Sequence, residues 1–427
     1  MSEKLQLAAG EVSVVDEISV TRLPCGMTVL VQPMPWLRTA AFALSLPGGV
    51  AVDPNDRAGL SSMVCEMVQR GAGSYSSRDL VAVQDNLGMD RNGGVSIGAT
   101  SFGSAMPAES LPDALSIYAD IVRRPHLPAD QIDDARLMSL QELRAMADEP
   151  THRVMDQLRR RQYGDHLGRS SLGTTDGLNA ITAEDIRDYF NTHYHGGGGI
   201  LGVAGNVDPS AVLEMADRCF GDWKQGDAPE LPPPDGRPGY EHIDSPSAQT
   251  HIGFSFGTIP YGHDEYFAMR AGIGILSDGM SSRLFDRVRE QRGLCYTVSA
   301  SVNNLPNTAA VMGYAGTTPA RAQETLDVTL GEIAGVTEDL TTAELDRWKV
   351  RIESSLVMEQ ESSGSRASSL VADQYQIGRP QSTEELRGLI GGLTLDQVRE
   401  YWQSNPPSDY RIVTLGESEL AANRICV

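Results

Sequence analysis

The sequence predicts an α+β fold of two similar domains, each a mainly antiparallel β-sheet packed by α-helices on one face. Three observations predict it. Strands are mixed with helical hairpins without strict alternation, a proline-rich segment lies near the midpoint, and segments of the two halves align. At 427 residues the chain is long enough for two domains that each bury a sizeable core.

The predicted elements follow from apolar periodicity. Alternating or β-branched runs predict strands at 27–31, 40–46, 200–203, 251–256, 296–300 and 410–413. Apolar residues at helical spacing predict helices at 111–122, 128–146, 151–162, 183–192, 320–334, 342–360 and 395–402. Each half therefore begins with strands, continues with a run of helices and closes with a short strand.

The midpoint segment 226–246 is the most proline-rich part of the chain, which prevents a regular helix or a central strand there. We therefore expect an N-terminal domain at 1–225, a linker at 226–246 and a C-terminal domain at 247–427. On either side of it, residues 181–190 align with 393–402, and 127–133 align with 340–346. Helices that begin with Thr can look alike by chance, but the shared offset favours an internal repeat.

The composition excludes several classes of protein. The chain carries 35 Lys and Arg against 57 Asp and Glu, a net charge of −22. This charge opposes binding to nucleic acid and to anionic membrane surfaces, so we expect neither partner. Acidity of this kind usually serves solubility, although it would also suit a cavity that admits basic peptides.

The cysteines are scattered and never spaced Cys-x-x-Cys, so they predict neither a disulfide framework nor a zinc knuckle. They are Cys25, Cys65, Cys219, Cys295 and Cys426. The N-terminal residues 1–7 lead into acidic residues rather than into the apolar core of a secretory signal, and no segment approaches the length of a membrane span. We therefore expect a soluble chain in the cytoplasm.

Residues 47–54, followed by Gly59 and Leu60 at the start of a helix, resemble the first half of the pitrilysin/insulinase family of zinc peptidases, in the branch of the processing peptidases. The resemblance covers essentially the whole chain and implies two domains that enclose a chamber. Active members carry His-x-x-Glu-His on this helix. Its two histidines bind one zinc ion from the same helix face, and its glutamate activates the bound water.

In this chain the aligned positions are Ser62, Cys65 and Glu66, which cannot rebuild that site. Ser is a poor neutral ligand, Glu66 offers one oxygen, and a thiol lacks the proton affinity of a catalytic carboxylate. The family's third ligand has a counterpart in Glu142, but the acidic neighbour of that ligand is replaced by Ala135. We read Glu142 as a remnant of the zinc site or, more simply, as a surface carboxylate. We expect no metal and no catalytic residue in this chain.

Other nucleophiles are not expected either. None of the eight histidines restores a metal motif, and Cys65 and Cys295 are read as small buried side chains without a nearby histidine to activate them. We also expect no Gly-x-Ser-x-Gly elbow anywhere in the chain, and therefore no serine nucleophile on a strand-to-helix turn.

Residues 279–296 are similar over their full length to the family's C-terminal signature. The pattern predicts a helix with Leu284, Phe285 and Val288 on its apolar face, an end at Gly293 and a strand from Tyr296. The resemblance implies that Arg289 and Tyr296 reach the substrate near the scissile bond, Arg289 through its fixed donors and Tyr296 through its hydroxyl. Without the signature, the ordinary interpretation of Arg289 would be a solvated charge on a helix, and that of Tyr296 an aromatic residue of the core.

The chain thus resembles the non-catalytic, substrate-binding subunit of a heterodimeric zinc endopeptidase, in which a homologous partner subunit carries the zinc motif and the zinc. Its substrates would be peptides. Two alternatives stay open, a structural scaffold like the core subunits of a respiratory complex and a stand-alone peptide-binding protein. Retention of Arg289 and Tyr296 argues against a scaffold, which needs neither side chain.

Overall fold

A computed structural model describes residues 13–15 and 17–421, so that Cys426 and residues 1–7 lie outside the described part. The strands are β1 Ser13–Val15, β2 Ile18–Arg22, β3 Thr28–Pro33, β4 Thr39–Pro47, β5 Asp90–Val95, β6 Ala99–Pro107, β7 Ile200–Gly205, β8 Gly239–Asp244, β9 Thr250–Thr258, β10 Cys295–Leu305, β11 Thr308–Thr317 and β12 Arg411–Gly416. The helices are α1 Leu60–Met67, α2 Ser77–Asn86, α3 Leu111–Arg123, α4 Ile132–Ala147, α5 Pro150–Leu167, α6 Thr175–Ala180, α7 Ala183–His193, α8 Pro209–Phe220, α9 Tyr266–Ser277, α10 Ala322–Ala334, α11 Thr342–Glu359, α12 Ser363–Ile377, α13 Thr383–Gly392 and α14 Leu395–Ser404. A π-helical segment, Leu284–Glu290, precedes β10.

The strands form two sheets with the same internal order. The seven-stranded sheet runs β1-β2-β3-β7-β4-β6-β5, and the five-stranded sheet runs β10-β11-β9-β12-β8. In the first, β3 pairs in parallel with β7 while β7, β4, β6 and β5 pair antiparallel. The second repeats this pattern, because β8 pairs in parallel with β12 while β12, β9, β11 and β10 pair antiparallel. The α+β fold with two similar, antiparallel-rich domains is confirmed.

The aligned segments 181–190 and 393–402 also start alike. At α7 the Thr182 hydroxyl accepts from the backbone N–H of Asp185, whose carboxylate accepts in return from the backbone N–H of Thr182. At α14 Thr394 and Gln397 form the same reciprocal pair. Each capping box satisfies two N–H groups that a helix start otherwise leaves without a partner.

The chain packs as two compact units whose segments are not contiguous. One unit comprises the chain up to Arg144 together with Arg169–Pro232 and Leu356–Ser382, and the other comprises Ala145–Gly168, Pro233–Ser355 and the chain from Thr383. The units therefore follow the two sequence halves except at α5 and α12. These two helices hold equivalent places in their own halves, and each packs in the unit of the other half.

In the first unit, helices cover both faces of the seven-stranded sheet. Strand side chains such as Val29 and Phe42 share the main core with α1, α3, α7 and α8. On the opposite face, Leu370 of α12 packs against Leu30 of β3. The close approach depends on Gly202, where a Cβ atom would lie 2.6 Å from the carbonyl oxygen of Ala367. The second covered face is a feature that the sequence pattern did not predict.

In the second unit, α5 packs on strands β9 and β12. Here too a glycine permits the contact, because a Cβ atom on Gly253 would lie 2.7 Å from Cγ1 of Val154. The Ser255 hydroxyl donates to Oε1 of Gln162 at 2.9 Å, which satisfies a buried polar pair at this interface.

The proline-rich segment leaves the first unit at Pro232 and enters the second at Pro233. Its later part, Gly239–Asp244, forms β8 at the edge of the five-stranded sheet, where a strand bounded by prolines is tolerated. Within the part of the chain that the structure describes, no helix is both long enough and apolar enough to cross a membrane.

Candidate functional site

The helix that carries the degenerate motif is fixed at its start by a buried aspartate. Gly59 adopts a left-handed conformation (φ 101°) before α1, and the Asp53 carboxylate accepts from the backbone N–H groups of Gly59 and Ser61, each at 3.0 Å. Burial raises the pKa of Asp53 to about 6, although the N–H donors work in the opposite direction. The start of α1 is therefore set independently of any metal.

The first two motif positions are engaged inside the first unit. The Ser62 hydroxyl donates to the backbone carbonyl oxygen of Ser171 at 2.6 Å. Cys65 is only 5% exposed, and burial, followed by the nearby charge of Glu66, raises the pKa of its thiol to about 12. Because the thiolate is the form that binds metal or attacks carbon, Cys65 is inert at neutral pH. Its predicted burial is confirmed.

The third position is an ion pair. Glu66 lies 3.0 Å from Arg70, one turn later on α1. The Arg70 guanidinium also donates to the backbone oxygen of Gln131 and lies 3.4 Å from Sδ of Met138 on α4. The Arg70 guanidinium thus places a positive charge between α1 and α4.

Glu142 lies on the exposed side of α4, whereas Ala135 on the same helix is buried. Among the described residues, no group of three or more His, Cys, Asp or Glu side chains is arranged to hold a metal ion. With Ser62 bonded to a carbonyl and Glu66 paired with Arg70, the donor set does not fit zinc.

One expectation from the sequence was wrong in its premise. The chain does contain a Gly-x-Ser-x-Gly pattern, at residues 94–98. It connects the antiparallel strands β5 and β6 rather than a strand and a helix, and the Ser96 hydroxyl donates to the backbone oxygen of Ala99 at 3.1 Å. This turn lacks the geometry of a nucleophile elbow, so Ser96 is no candidate nucleophile.

The signature segment in the second unit folds in a way that the helical spacing did not predict. Residues Leu284–Glu290 form a π-helix, in which the N–H of Gln291 donates to the carbonyl of Asp286 at 2.8 Å. Leu284 and Val288 are fully buried, and Gly293 (φ 58°) ends the segment by donating to the carbonyl of Arg289. The predicted end is confirmed, and so is the predicted apolar face, except that Phe285 is only half-buried. Short π-helical segments recur at functional sites.

The arginines of this segment differ in what they contact. Arg283 is 3% exposed and donates twice to Glu344, at 2.7 and 3.0 Å. Arg287 pairs with Glu332 at 2.7 Å. Arg289 is 42% exposed, stacks over Phe285 with its Cζ 4.6 Å from the ring centroid, and among the described residues has only a long contact of 3.5 Å to an acidic group, that of its neighbour Glu290. Arg289 is therefore oriented by stacking while its donors face solvent.

Tyr296 lies at an irregularity of strand β10. The pairing of β10 with β11 shifts register between Cys295 and Thr297, so Tyr296 stands at a bulge. Its side chain is 66% exposed. A bulge redirects the side chain that it carries, which explains why this aromatic residue is absent from the core. Burial of Cys295 raises the pKa of its thiol to about 11, so the adjacent thiol is not a reactive group.

Two family models match the chain. Residues 28–175 match the model described as insulinase (peptidase family M16), and residues 180–351 match the peptidase M16 inactive domain. The chain is 26% identical over 385 residues to an "uncharacterized zinc protease" of Rickettsia felis, covering 90% of this chain and 93% of that protein.

Solved structures share the fold. The peptidase M16 inactive domain from Pseudomonas fluorescens superposes with a TM-score of 0.86 at 21% identity, covering 94% of this chain and 99% of that one. A chain of complex III2 from Candida albicans superposes with a TM-score of 0.80 at 16% identity, covering 93% and 95%. These structures share the fold, and the two family models, which belong to the same family, match most of the chain; the chain belongs to the insulinase family, peptidase family M16.

Proposed function

We propose that this chain is the non-catalytic, substrate-binding subunit of a heterodimeric zinc endopeptidase that degrades or processes peptides, and that it supplies Arg289 and Tyr296 to the active site of a partner subunit. The observation that carries the proposal is the exposure of these two side chains on the bulge and the π-helix, while the positions of the zinc motif are occupied by internal contacts. A cytoplasmic location and membership of the processing-peptidase branch are parts of the same proposal.

The two side chains suit complementary tasks. A guanidinium offers several fixed N–H donors, which match the carbonyl groups of an extended peptide. A tyrosine hydroxyl can donate to the oxyanion that develops when water attacks the scissile carbonyl. Neither task requires a metal in this chain, and the net charge of −22 favours basic peptides as substrates.

The main alternative is a structural scaffold subunit. It is supported by the similarity to a chain of complex III2, which at 16% identity is a similarity of fold. A scaffold leaves no task for an exposed Tyr296 on a bulge, and for that reason we favour the peptidase subunit. A stand-alone peptide-binding protein is the third possibility, and it would use Arg289 without a partner.

Native purification of the tagged chain tests the partner. We expect a chain of similar size that carries His-x-x-Glu-His to co-purify, and chelator-sensitive peptide cleavage to require both chains. Purification of the chain in a large assembly without peptidase activity would favour the scaffold. Purification alone, with peptide binding but no cleavage, would favour the third possibility.

Substitutions then test the two side chains in the assembled enzyme. Tyr296→Phe removes one hydroxyl, and we expect turnover to fall by up to about 10²–10³, the usual loss for one oxyanion donor. Arg289→Ala should mainly raise KM. Arg292→Ala, a change of another exposed arginine in the same segment, is the matched control. If both variants assemble with the partner and cleave at the wild-type rate, the shared site is wrong.

A further inference from the structure

A cavity of about 460 Å³ lies within the second unit, between the end of α9, the loop after it and the first half of α11. This volume is typical of sites for small ligands. Neither Arg289 nor Tyr296 lines it. By element order, α9 and α11 are the counterparts of α1 and α4, so the cavity holds the place that the degenerate motif holds in the first unit.

One wall of the cavity carries a buried donor without an acceptor. Trp348 is 4% exposed, and its indole Nε1 has no hydrogen-bond partner among the residues that the structure describes. An indole N–H can only donate, and a buried donor left unpaired is unfavourable. The ring lies directly on the backbone of α9, because a Cβ atom on Gly274 would come within 2.1 Å of Nε1.

Two arginines stand at the same cavity, one turn apart on α11. Arg347 and Arg351 are both exposed, and neither has an acidic partner within the described part of the chain. The Arg351 guanidinium lies against the loop at Gly279, whose φ is 98°. A Cβ atom there would come within 2.6 Å of Nη1. The lack of a side chain at Gly279 and at Gly274 thus leaves room for the Arg351 guanidinium and for the Trp348 ring, respectively.

The acidic groups of the cavity are mostly neutralised by other side chains. Glu344 accepts two hydrogen bonds from Arg283, and the Asp278 carboxylate lies 2.9 Å from Arg270. Asp346 is exposed and has no ion pair in the described ranges. Two unpaired guanidiniums therefore stand beside a single unpaired carboxylate, which leaves the cavity with an excess of donors and of positive charge.

We propose that this cavity binds the carboxylate of a small apolar acid. The carboxylate accepts from Arg351 and Arg347, since guanidinium groups match its geometry. The apolar part packs against Ile275 and Val350. A free carboxylic acid and the C-terminal residue of a peptide share this chemistry. The assignment does not depend on the partner subunit proposed above.

Calorimetric titration of the purified chain tests the assignment with N-acetyl-leucine and with N-acetyl-leucinamide, which lacks the charge. We expect saturable binding of the acid and at least tenfold weaker binding of the amide, since a charge-assisted hydrogen bond is worth about that factor. Arg351→Gln should weaken binding of the acid to a similar degree. Arg387→Gln, a change of an exposed arginine on α13, should leave it unchanged.

A second pair of probes separates the two sources of the carboxylate. A tripeptide that ends in leucine should bind more tightly than N-acetyl-leucine if the site takes peptide C-termini, and less tightly if it takes free acids. Equal binding of acid and amide, an unchanged affinity in Arg351→Gln, or no saturable binding of the acid up to about 10 mM would each overturn the proposal. Because Arg351 is exposed, its substitution leaves the folded core intact.

Discussion

Helix α1 carries the positions aligned with the zinc motif, the segment 284–296 belongs to the C-terminal signature, and the two regions differ in what their polar side chains contact. On α1, Ser62 is bonded to a backbone carbonyl, Glu66 is paired with an arginine and Cys65 is buried. In the second region, Arg289 and Tyr296 present their polar groups to solvent. At the positions aligned with the zinc motif, internal partners take up the hydrogen-bonding capacity of the side chains. In the second region the exposed polar groups keep much of that capacity free for a ligand.

The largest expected effect separates a structural arginine from an available one. Arg283→Ala should lower the free energy of unfolding by about 3–5 kcal/mol, because it leaves Glu344 without its buried partner. Arg289→Ala should change stability by less than about 0.5 kcal/mol, as is usual for an exposed side chain. Urea denaturation of both variants provides the measurement. Equal destabilisation would show that Arg289 is structural as well.

The next prediction concerns the reactivity of α1. With a thiol pKa of about 12 instead of 9.0, Cys65 carries about 10³ less thiolate at neutral pH than an ordinary cysteine. Iodoacetamide should therefore label it about a thousandfold more slowly in the native protein than after unfolding in urea, as followed by mass spectrometry. Comparable rates before and after unfolding would mean that Cys65 is a reactive group after all.

Two carboxylates that lie beside these regions, Glu344 on α11 and Asp53 before α1, should respond oppositely to pH. Burial favours the neutral acid of Glu344, but hydrogen bonds from Arg283 and Thr341 outweigh it and lower the pKa of this carboxyl to about 2. The contribution of Glu344 to stability is therefore present above pH 4.5 and is lost as the pH falls from 4.5 to 2. Burial raises the pKa of Asp53 from 3.8 to about 6, so stability falls as pH rises through that window.

Each of these contributions is about 1–3 kcal/mol once solvent screening is allowed for. Chemical denaturation from pH 2.5 to 7 measures them, with Glu344→Gln and Asp53→Asn as the variants that remove each titration. Glu344→Gln should flatten the profile below pH 4.5, and Asp53→Asn should flatten it between pH 4 and 6. The same profile in wild type and both variants would contradict the assignment.

The smallest effect tests the likeness of the two halves. Thr182→Ala and Thr394→Ala each remove one member of a capping box, and each should cost about 1 kcal/mol. Thr182→Ser and Thr394→Ser, which keep the hydroxyl, are the controls. If the two Ala variants lose very different amounts of unfolding free energy, the capping boxes of α7 and α14 do not stabilise their helices equally.

Local signals explain what could be predicted. The repeat was visible because Thr182 and Thr394 each open an amphipathic helix with a partner three residues later, and the buried state of Cys65 followed from its apolar helix face. The exchange of α5 and α12 could not be predicted from the sequence, because an apolar helix face does not determine which of the two sheets it packs against. The π-helix and the bulge at Tyr296 arise from tertiary packing, which the spacing of apolar residues in the sequence does not indicate.

The exchanged helices bear on how the protein is made. When the first half of the chain leaves the ribosome, the sheet face that carries Leu30 has no cover, because α12 has not yet been synthesised. Helix α5 is by then complete, but the strands on which it packs are not. Exposed apolar faces on incomplete domains favour aggregation, so we expect the growing chain to be prone to aggregation until Ser382 has emerged. Cutting the gene at the proline-rich segment would give two halves that each lack one helix of their own unit, and they should become soluble only when they are expressed together.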